Sequence, residues 1–350
     1  MKFDLNNLTR GNIKELKPYS SARHEFTGNA IVCLDANENA YGSPLDQQFN
    51  RYPDPLQWQL KFQLAKIKGV PAENIFIGNG SDEVIDLAYR IFCEPGKDNV
   101  IICPPTYGMY EVSANINAVE IRKVNLTATF QLDVEGILAT ADGNTKLLFI
   151  CSPNNPTGNS MNRADIKQLL GAFNGIVVID EAYINYAAQK TFVEELTVYP
   201  NLIVMQTLSK AWGLAALRLG LAYAAMDIID LFNKVKPPYN VNAASQQLAI
   251  EALQNTLQVN DWITATVQQR KYLAKQLSIF SFVKTVYPAD ANFILIKVED
   301  AGEIYQYLTS RGIIIRNRGN EPGCANCLRI TVGTPKENQL LLNTLTEYKA

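Results

Sequence analysis

Lys210 stands in the segment from Leu202 to Gly220, LIVMQTLSKAWGLAALRLG, where an apolar run ends in Thr207 and Ser209 and Arg218 follows eight positions after the lysine. A strand of that composition would deliver the amine to the mouth of a cleft. Hydroxyls and a guanidinium there can hold a phosphate, so the group suits capture of a phosphorylated aldehyde as a Schiff base. A lysine behind a strand is ordinarily a solvated charge. Matching groups elsewhere in the chain set this one apart.

The segment from Ile176 to Tyr183, IVVIDEAY, is a β-branched run ending in Asp180 and Glu181, with Tyr183 three residues beyond Asp180. A continuous apolar run reads as a buried parallel strand, whose carboxyl end is where α/β sheets place ligands. An aspartate there can pair with a protonated ring nitrogen and a nearby tyrosine with a ring oxygen, or the aspartate can cap a helix. Asp-Glu is also a metal-binding pattern, but His24 is the single histidine of the chain, so a histidine-based metal centre is not expected. In LLFICSPNNPTG, from Leu147 to Gly158, Pro153 and Pro156 restrict the loop and Gly158 releases it, so that Asn155 is held in one orientation. The segment FIGNGSDEVIDLAYRIF, from Phe76 to Phe92, reads as a short strand, a glycine turn, and a helix opened by Ser81 and Asp82. The start of that helix either offers free N–H groups to a phosphate or is simply capped. Tyr107, after the Pro-Pro turn of CPPTYGMY, either stacks on a flat ligand or packs in the core.

Strands expected around Ile75, Ile101, Leu148, Val178, Val204 and Leu221 alternate with helical segments, the pattern of an α/β fold whose mostly parallel central sheet is covered by helices. After a turn at 236–242, residues 243–277 read as helical. Strand-like 293–298, helical 301–311, strand-like 313–315 and strand-like 328–332 then suggest a smaller α/β domain. The expected division is an N-terminal arm over 1–29 packing with the small domain, a large cofactor-binding domain over 30–242, and a small domain over 243–350.

The 350 residues carry 32 basic and 34 acidic side chains, which announces no polyanion-binding surface, and nucleic acid is not expected as a partner. No apolar stretch is long enough to span a bilayer and residues 1–12 lack a signal-peptide core, so a cytoplasmic protein without a membrane partner is expected. Six cysteines make no disulfide framework. Cys33, Cys93, Cys103 and Cys151 are expected as small buried side chains, and Cys324 and Cys327, a single CxxC without histidines, as structural rather than zinc or redox groups.

Together, SPNNPTG, DEAY and TLSK with Arg218 resemble the fold-type I pyridoxal phosphate-dependent aminotransferases of the aspartate aminotransferase superfamily. More narrowly, LDANENAYGSP from Leu34, RYPDP from Arg51, GNGSDEVIDL from Gly78, PPTYGMY from Pro104 and LRITVGTP from Leu328 resemble the histidinol-phosphate aminotransferase family, over a stretch from residue 17 to 335. The resemblance implies pyridoxal 5′-phosphate as cofactor, with Lys210 as the Schiff-base lysine and proton shuttle. It implies Asp180 on the ring nitrogen, Asn155 and Tyr183 on the phenolic oxygen, Tyr107 over the ring, and Ser81, Asp82, Thr207, Ser209 and Arg218 around the phosphate. Tyr52 would reach the cofactor phosphate of a neighbouring subunit, which implies a homodimer with shared sites. Arg329 and Arg316, helped by Tyr19, would bind the glutamate carboxylate in one half-reaction and a substrate phosphate in the other. The implied reaction is ping-pong exchange between histidinol phosphate with 2-oxoglutarate and imidazole acetol phosphate with glutamate, in histidine biosynthesis. Aromatic amino-acid transamination and phosphothreonine-type decarboxylation are the other chemistries considered on this fold. A binding protein that merely kept the fold would not need the full set of Lys210, Asp180, Asn155, Tyr183 and Arg218. Ala215 and Ala216 depart from the Ala-Gly of the resembled pattern.

Overall fold

The computed structural model describes residues 3–18 and 31–348; Tyr19 and the rest of the expected arm beyond residue 18 lie outside the described residues. A seven-stranded sheet has the order β1-β7-β6-β5-β4-β2-β3, formed by β1 (Ile75–Asn79), β2 (Asn99–Ile102), β3 (Glu120–Lys123), β4 (Thr145–Cys151), β5 (Ile176–Asp180), β6 (Leu202–Thr207) and β7 (Leu219–Ala224). All its pairings are parallel except those of β7, which runs against both β6 and β1.

Alternation along the strands explains the continuous apolar runs. In β4, Leu148 and Ile150 enter one apolar layer while Leu147, Phe149 and Cys151 enter the other; in β5, Val177 and Ile179 oppose Ile176 and Val178. Helices α1 (Leu5–Leu8), α2 (Gly11–Glu15), α3 (Trp58–Lys68), α4 (Ser81–Phe92), α5 (Met109–Ile116), α6 (Val134–Thr140), α7 (Arg163–Ala172), α8 (Met226–Val235) and α9 (Ala243–Ala252) surround this sheet. Core side chains of α4, α5 and α8 share the layer of Phe149, and those of α3, α6, α7 and α9 share the layer of Leu148. Strands β4, β5 and β6 all end at the same edge, in Cys151, Asp180 and Thr207.

A second, four-stranded antiparallel sheet has the order β10-β11-β9-β8, made of β8 (Val283–Val286), β9 (Phe293–Val298), β10 (Arg316–Asn317) and β11 (Cys327–Thr331). It packs Ile294, Ile296 and Ile330 against Leu273 and Leu277 of α10 (Thr256–Leu277), Leu308 of α11 (Ala301–Ser310) and Leu341 of α12 (Pro335–Thr346). The Asp290 N–H donates to the Gly158 carbonyl (2.6 Å), tying this unit to the loop after β4.

Some local expectations are corrected. The helical stretch 243–277 is two helices, α9 and α10, separated by residues 253–255. The apolar residues 313–315 form no strand; pairing begins at Arg316, because the chain is still leaving the turn at Gly312 (φ +76°). Cys33 is half-buried, whereas Cys93, Cys103, Cys151, Cys324 and Cys327 are buried free thiols.

Candidate active site

Asp180, the last residue of β5, forms the floor of a cleft at the carboxyl edge of the large sheet. Burial raises its proton affinity, and the Tyr110 phenol, the Ala182 N–H and the Lys210 ammonium oppose that shift. Tyr110 donates its hydroxyl to Asp180 Oδ2 at 2.7 Å, and Ala182 N–H donates to Oδ1 at 3.0 Å. Lys210 opens into the same cleft, with Nζ 5.7 Å from the centre of the Tyr183 ring. Partial desolvation is the main cause lowering its pKa; Arg329 and Arg218 act in the same direction and Asp180 against it.

One end of the cleft is a cradle of donors. Ser81 begins α4, whose cap residue Gly80 (φ +82°) offers no side chain to the helix N–H groups. Thr207 Oγ1 donates to the Leu219 carbonyl (3.0 Å) and accepts from Ser209 N–H (3.1 Å), so that turn points two hydroxyls the same way. Arg218, in left-handed conformation (φ +55°), approaches Asp82 at 3.7 Å, and Asp82 accepts from the Tyr107 hydroxyl at 3.1 Å. Gly220 allows β7 and the start of α4 to touch: a Cβ there would lie 2.2 Å from Ser81 N and from the Gly80 carbonyl carbon. Free helix N–H groups, two hydroxyls and a guanidinium form a donor set suited to a phosphate.

The other end is built by the second sheet. Arg329 on β11 donates to Asn155 Oδ1, and Arg316 stands directly opposite Arg329 in the β10–β11 register. Arg318 donates its backbone N–H to the Cys327 carbonyl (2.8 Å), so strand alternation sends Arg316, Arg318 and Arg329 toward one face. The Nε atoms of Arg318 and Arg329 are buried without partners, and burial together with the positive Arg318 and Arg316 depresses the Arg329 pKa. Only Arg318 of the three has an acidic neighbour among the described residues, Glu321 at 3.7 Å. A concentration of unneutralised guanidinium suits an anionic ligand.

The structure therefore gathers Ser81, Asp82, Tyr107, Asn155, Asp180, Tyr183, Thr207, Ser209, Lys210 and Arg218 around one cleft, with Arg329 bonded to Asn155 at its side. Tyr52 does not line it. That ring is half-exposed, stacked on Tyr239 at 4.4 Å between centroids, beside a separate cavity lined by Glu38, Asn50 and Arg51.

Several contributors escaped the sequence reading. Asn154, fully buried, donates to the Pro105 carbonyl (2.9 Å) and to Thr157 Oγ1 (2.7 Å), joining the Tyr107 loop to the Asn155 loop. Glu181 is bound on the back of the sheet by Thr191, the Phe192 N–H and Gln206, which anchors the residue next to Asp180. Tyr110 carried one available signal: it follows Tyr107 by three residues, the spacing of one helical turn.

Residues 27–345 match the family described as aminotransferase class I and II. A histidinol-phosphate aminotransferase of Parabacteroides distasonis is 54% identical over 346 residues, covering 99% of both chains. One of Cytophaga hutchinsonii is 53% identical over 348 residues, covering 99% of this chain and 100% of that one. The crystal structure of histidinol-phosphate aminotransferase from Sinorhizobium meliloti in complex with pyridoxal-5′-phosphate superimposes with a TM-score of 0.79 at 25% identity, covering 89% of each chain.

Proposed function

The chain belongs to the class I and II aminotransferases, and from that premise we propose that it interconverts L-histidinol phosphate and 2-oxoglutarate with imidazole acetol phosphate and L-glutamate, a step of histidine biosynthesis. Pyridoxal 5′-phosphate is its cofactor. The observation that carries the reading is the cleft with an amine, a buried carboxylate and a phosphate cradle, flanked by Arg329 and Arg316, neither of which has an acidic partner among the described residues.

The residues present fit the cofactor. The cradle of Ser81, Thr207, Ser209, Arg218 and the α4 N-terminus suits its phosphate, and Asp180, buried at the cleft floor, suits a protonated ring nitrogen. Bound there, the cofactor supplies an electron sink for the electron pair released at the substrate Cα. Asp180 holds the proton on the ring nitrogen. Asn155 and Tyr183 would serve the ring oxygen, and Tyr107 would cover the ring. Lys210 would hold the cofactor through its aldehyde carbon and would serve as the base for the substrate Cα proton; partial desolvation lowers its pKa, which favours the neutral amine that a base needs. Arg329 and Arg316 bind the carboxylate of glutamate and the phosphate of the other substrate in turn. One site serving both half-reactions gives ping-pong kinetics.

A homodimer with shared sites belongs to the same proposal. Its support is that Tyr52 stands outside its own cleft, stacked on Tyr239 and half-exposed, on a face open to a neighbouring subunit. The cytoplasmic location, the division at residues 29/30 and 242/243, and a substrate contact for Tyr19 also belong to it. No helix among the described residues is long and apolar enough to cross a membrane.

The test mixes cofactor-loaded protein separately with histidinol phosphate, histidinol, phenylalanine and glutamate, following cofactor absorbance and the products. Histidinol phosphate and glutamate should convert the cofactor rapidly and yield oxo products without carbon dioxide. Equal conversion by phenylalanine would assign an aromatic aminotransferase, and carbon dioxide release a decarboxylase.

A further inference from the structure

Tyr110 is not among the residues assigned to cofactor or substrate, yet its hydroxyl makes the shorter of the two hydrogen bonds to the carboxylate at the cleft floor, 2.7 Å to Asp180 Oδ2. That length lies in the range of hydrogen bonds to an ionised acceptor. The ring is fully buried, stacked on Phe149 (4.7 Å between centroids, 17° between planes) and set edge-on to Tyr107 (5.6 Å, 84°). Its backbone carbonyl accepts from the Tyr89 hydroxyl at 2.8 Å. Held between two rings and tied through its backbone, the phenol points toward Asp180.

We propose that Tyr110 is a positioning residue for the reaction, fixing the direction and the charged state of the Asp180 carboxylate so that it keeps the proton on the cofactor ring nitrogen. The inference rests on the transaminase reading given above. A carboxylate buried beside Cys151 is penalised for its charge unless donors compensate it. Asp180 has two: the backbone N–H of Ala182 on one oxygen and the Tyr110 phenol on the other. The other titratable groups facing it are Lys210, Asp82, Cys151, Tyr107 and Tyr183. Lys210 favours the charge and Asp82 disfavours it. The Cys151 thiol is pushed up by burial and stays neutral, a weak donor at best. Tyr110 is thus the one side chain hydrogen-bonded to this carboxylate among the described residues. Its edge contact to Tyr107 also braces the wall beside the ring from the same anchor.

The test is the pH titration of cofactor absorbance in four proteins: native, Tyr110→Phe, Asp180→Asn and the double variant. Tyr110→Phe keeps the stack on Phe149 and removes the bond. A less firmly charged Asp180 lets the ring nitrogen lose its proton, and without that nearby positive charge the Lys210 linkage holds its own proton more tightly. The midpoint should therefore rise by about one pH unit or more, the size set by loss of one hydrogen bond to a charged group. In the Asp180→Asn background the same substitution should move it by less than about a quarter of that. Turnover of Tyr110→Phe should fall about tenfold or more with KM for glutamate changed less than about threefold. A fluorotyrosine at position 110, a more acidic donor in the same packing, should move the midpoint the opposite way and serves if the phenylalanine variant folds poorly. An unmoved midpoint, or equal movement with and without Asp180, overturns the assignment. A native protein with no absorbance band that depends on Lys210 overturns the transaminase reading itself.

Discussion

Gly220→Ala probes how the phosphate cradle is held. Gly220 pairs with Gly78 of β1 on one side and Thr207 of β6 on the other, so an added methyl group cannot escape sideways. It would lie 2.2 Å from Ser81 N and from the Gly80 carbonyl carbon. Non-bonded contact needs about 3.5 Å, so the start of α4 must recede by about 1.3 Å. Both neighbours are backbone atoms at the close contact between β7 and the start of α4, and overpacking of that kind costs about 1–3 kcal/mol of stability. A recession of that size takes an N–H group from bonding distance to beyond it. Losing one hydrogen bond to a charged phosphate costs about 1.5–3 kcal/mol, or roughly a 10- to 150-fold weaker hold on the cofactor. Equilibrium titration of cofactor-free protein with pyridoxal phosphate, alongside thermal melting, separates the two effects. Gly171→Ala, in α7 with open space at its Cβ, is the control and should leave affinity unchanged. A folded Gly220→Ala protein that binds cofactor within twofold of native would refute the reasoning.

Arg316→Ala should lower kcat/KM for histidinol phosphate about tenfold and shrink the preference over histidinol; the loss is limited because Arg316 is exposed, and an unchanged ratio would remove it from phosphate recognition. Asp180→Asn should abolish turnover yet raise the melting temperature of cofactor-free protein at neutral pH. Burial raises the folded-state pKa of this acid, so stability is lost as pH rises through that value, and the advantage of the amide should vanish below the unfolded pKa of about 3.9. Lys210→Ala should abolish turnover while cofactor still binds through its phosphate. Mixed with inactive Tyr52→Ala subunits, it should regain activity in heterodimers, since one of the two sites then holds both groups; verified heterodimers without activity would sink the shared site.

The large sheet was legible because β4, β5 and β6 are buried on both faces and read as uninterrupted apolar runs. β3, with the sequence EIRK, and β8, VKTV, escaped because each is an edge strand whose polar side chains meet solvent and leave no apolar run. Residues 313–315 misled for the opposite reason: they are apolar, but the local turn geometry keeps them out of the ladder. Within the site, residues on motif loops were readable from types and spacing. Tyr110, Asn154 and Glu181 were not, because their roles consist of contacts to elements far off in sequence: Tyr110 to Asp180, Asn154 to Pro105, Glu181 to Gln206. Arg318 carries no motif of its own in the sequence; the register with Cys327 puts it beside Arg329.

The contact between Arg329 and Asn155 joins two structures with separate duties. The residues that line the cleft beside the reactive amine stand on the large sheet and its loops, whereas the guanidinium cluster rides on the β10–β11 hairpin of the small one. The hairpin can therefore be rewritten without disturbing the groups that hold the ring nitrogen or the cofactor phosphate. Exchanging residues 316–329 for a less cationic hairpin that retains Arg329 is accordingly the economical route to a transaminase for unphosphorylated amines, since the joint to Asn155 survives the graft.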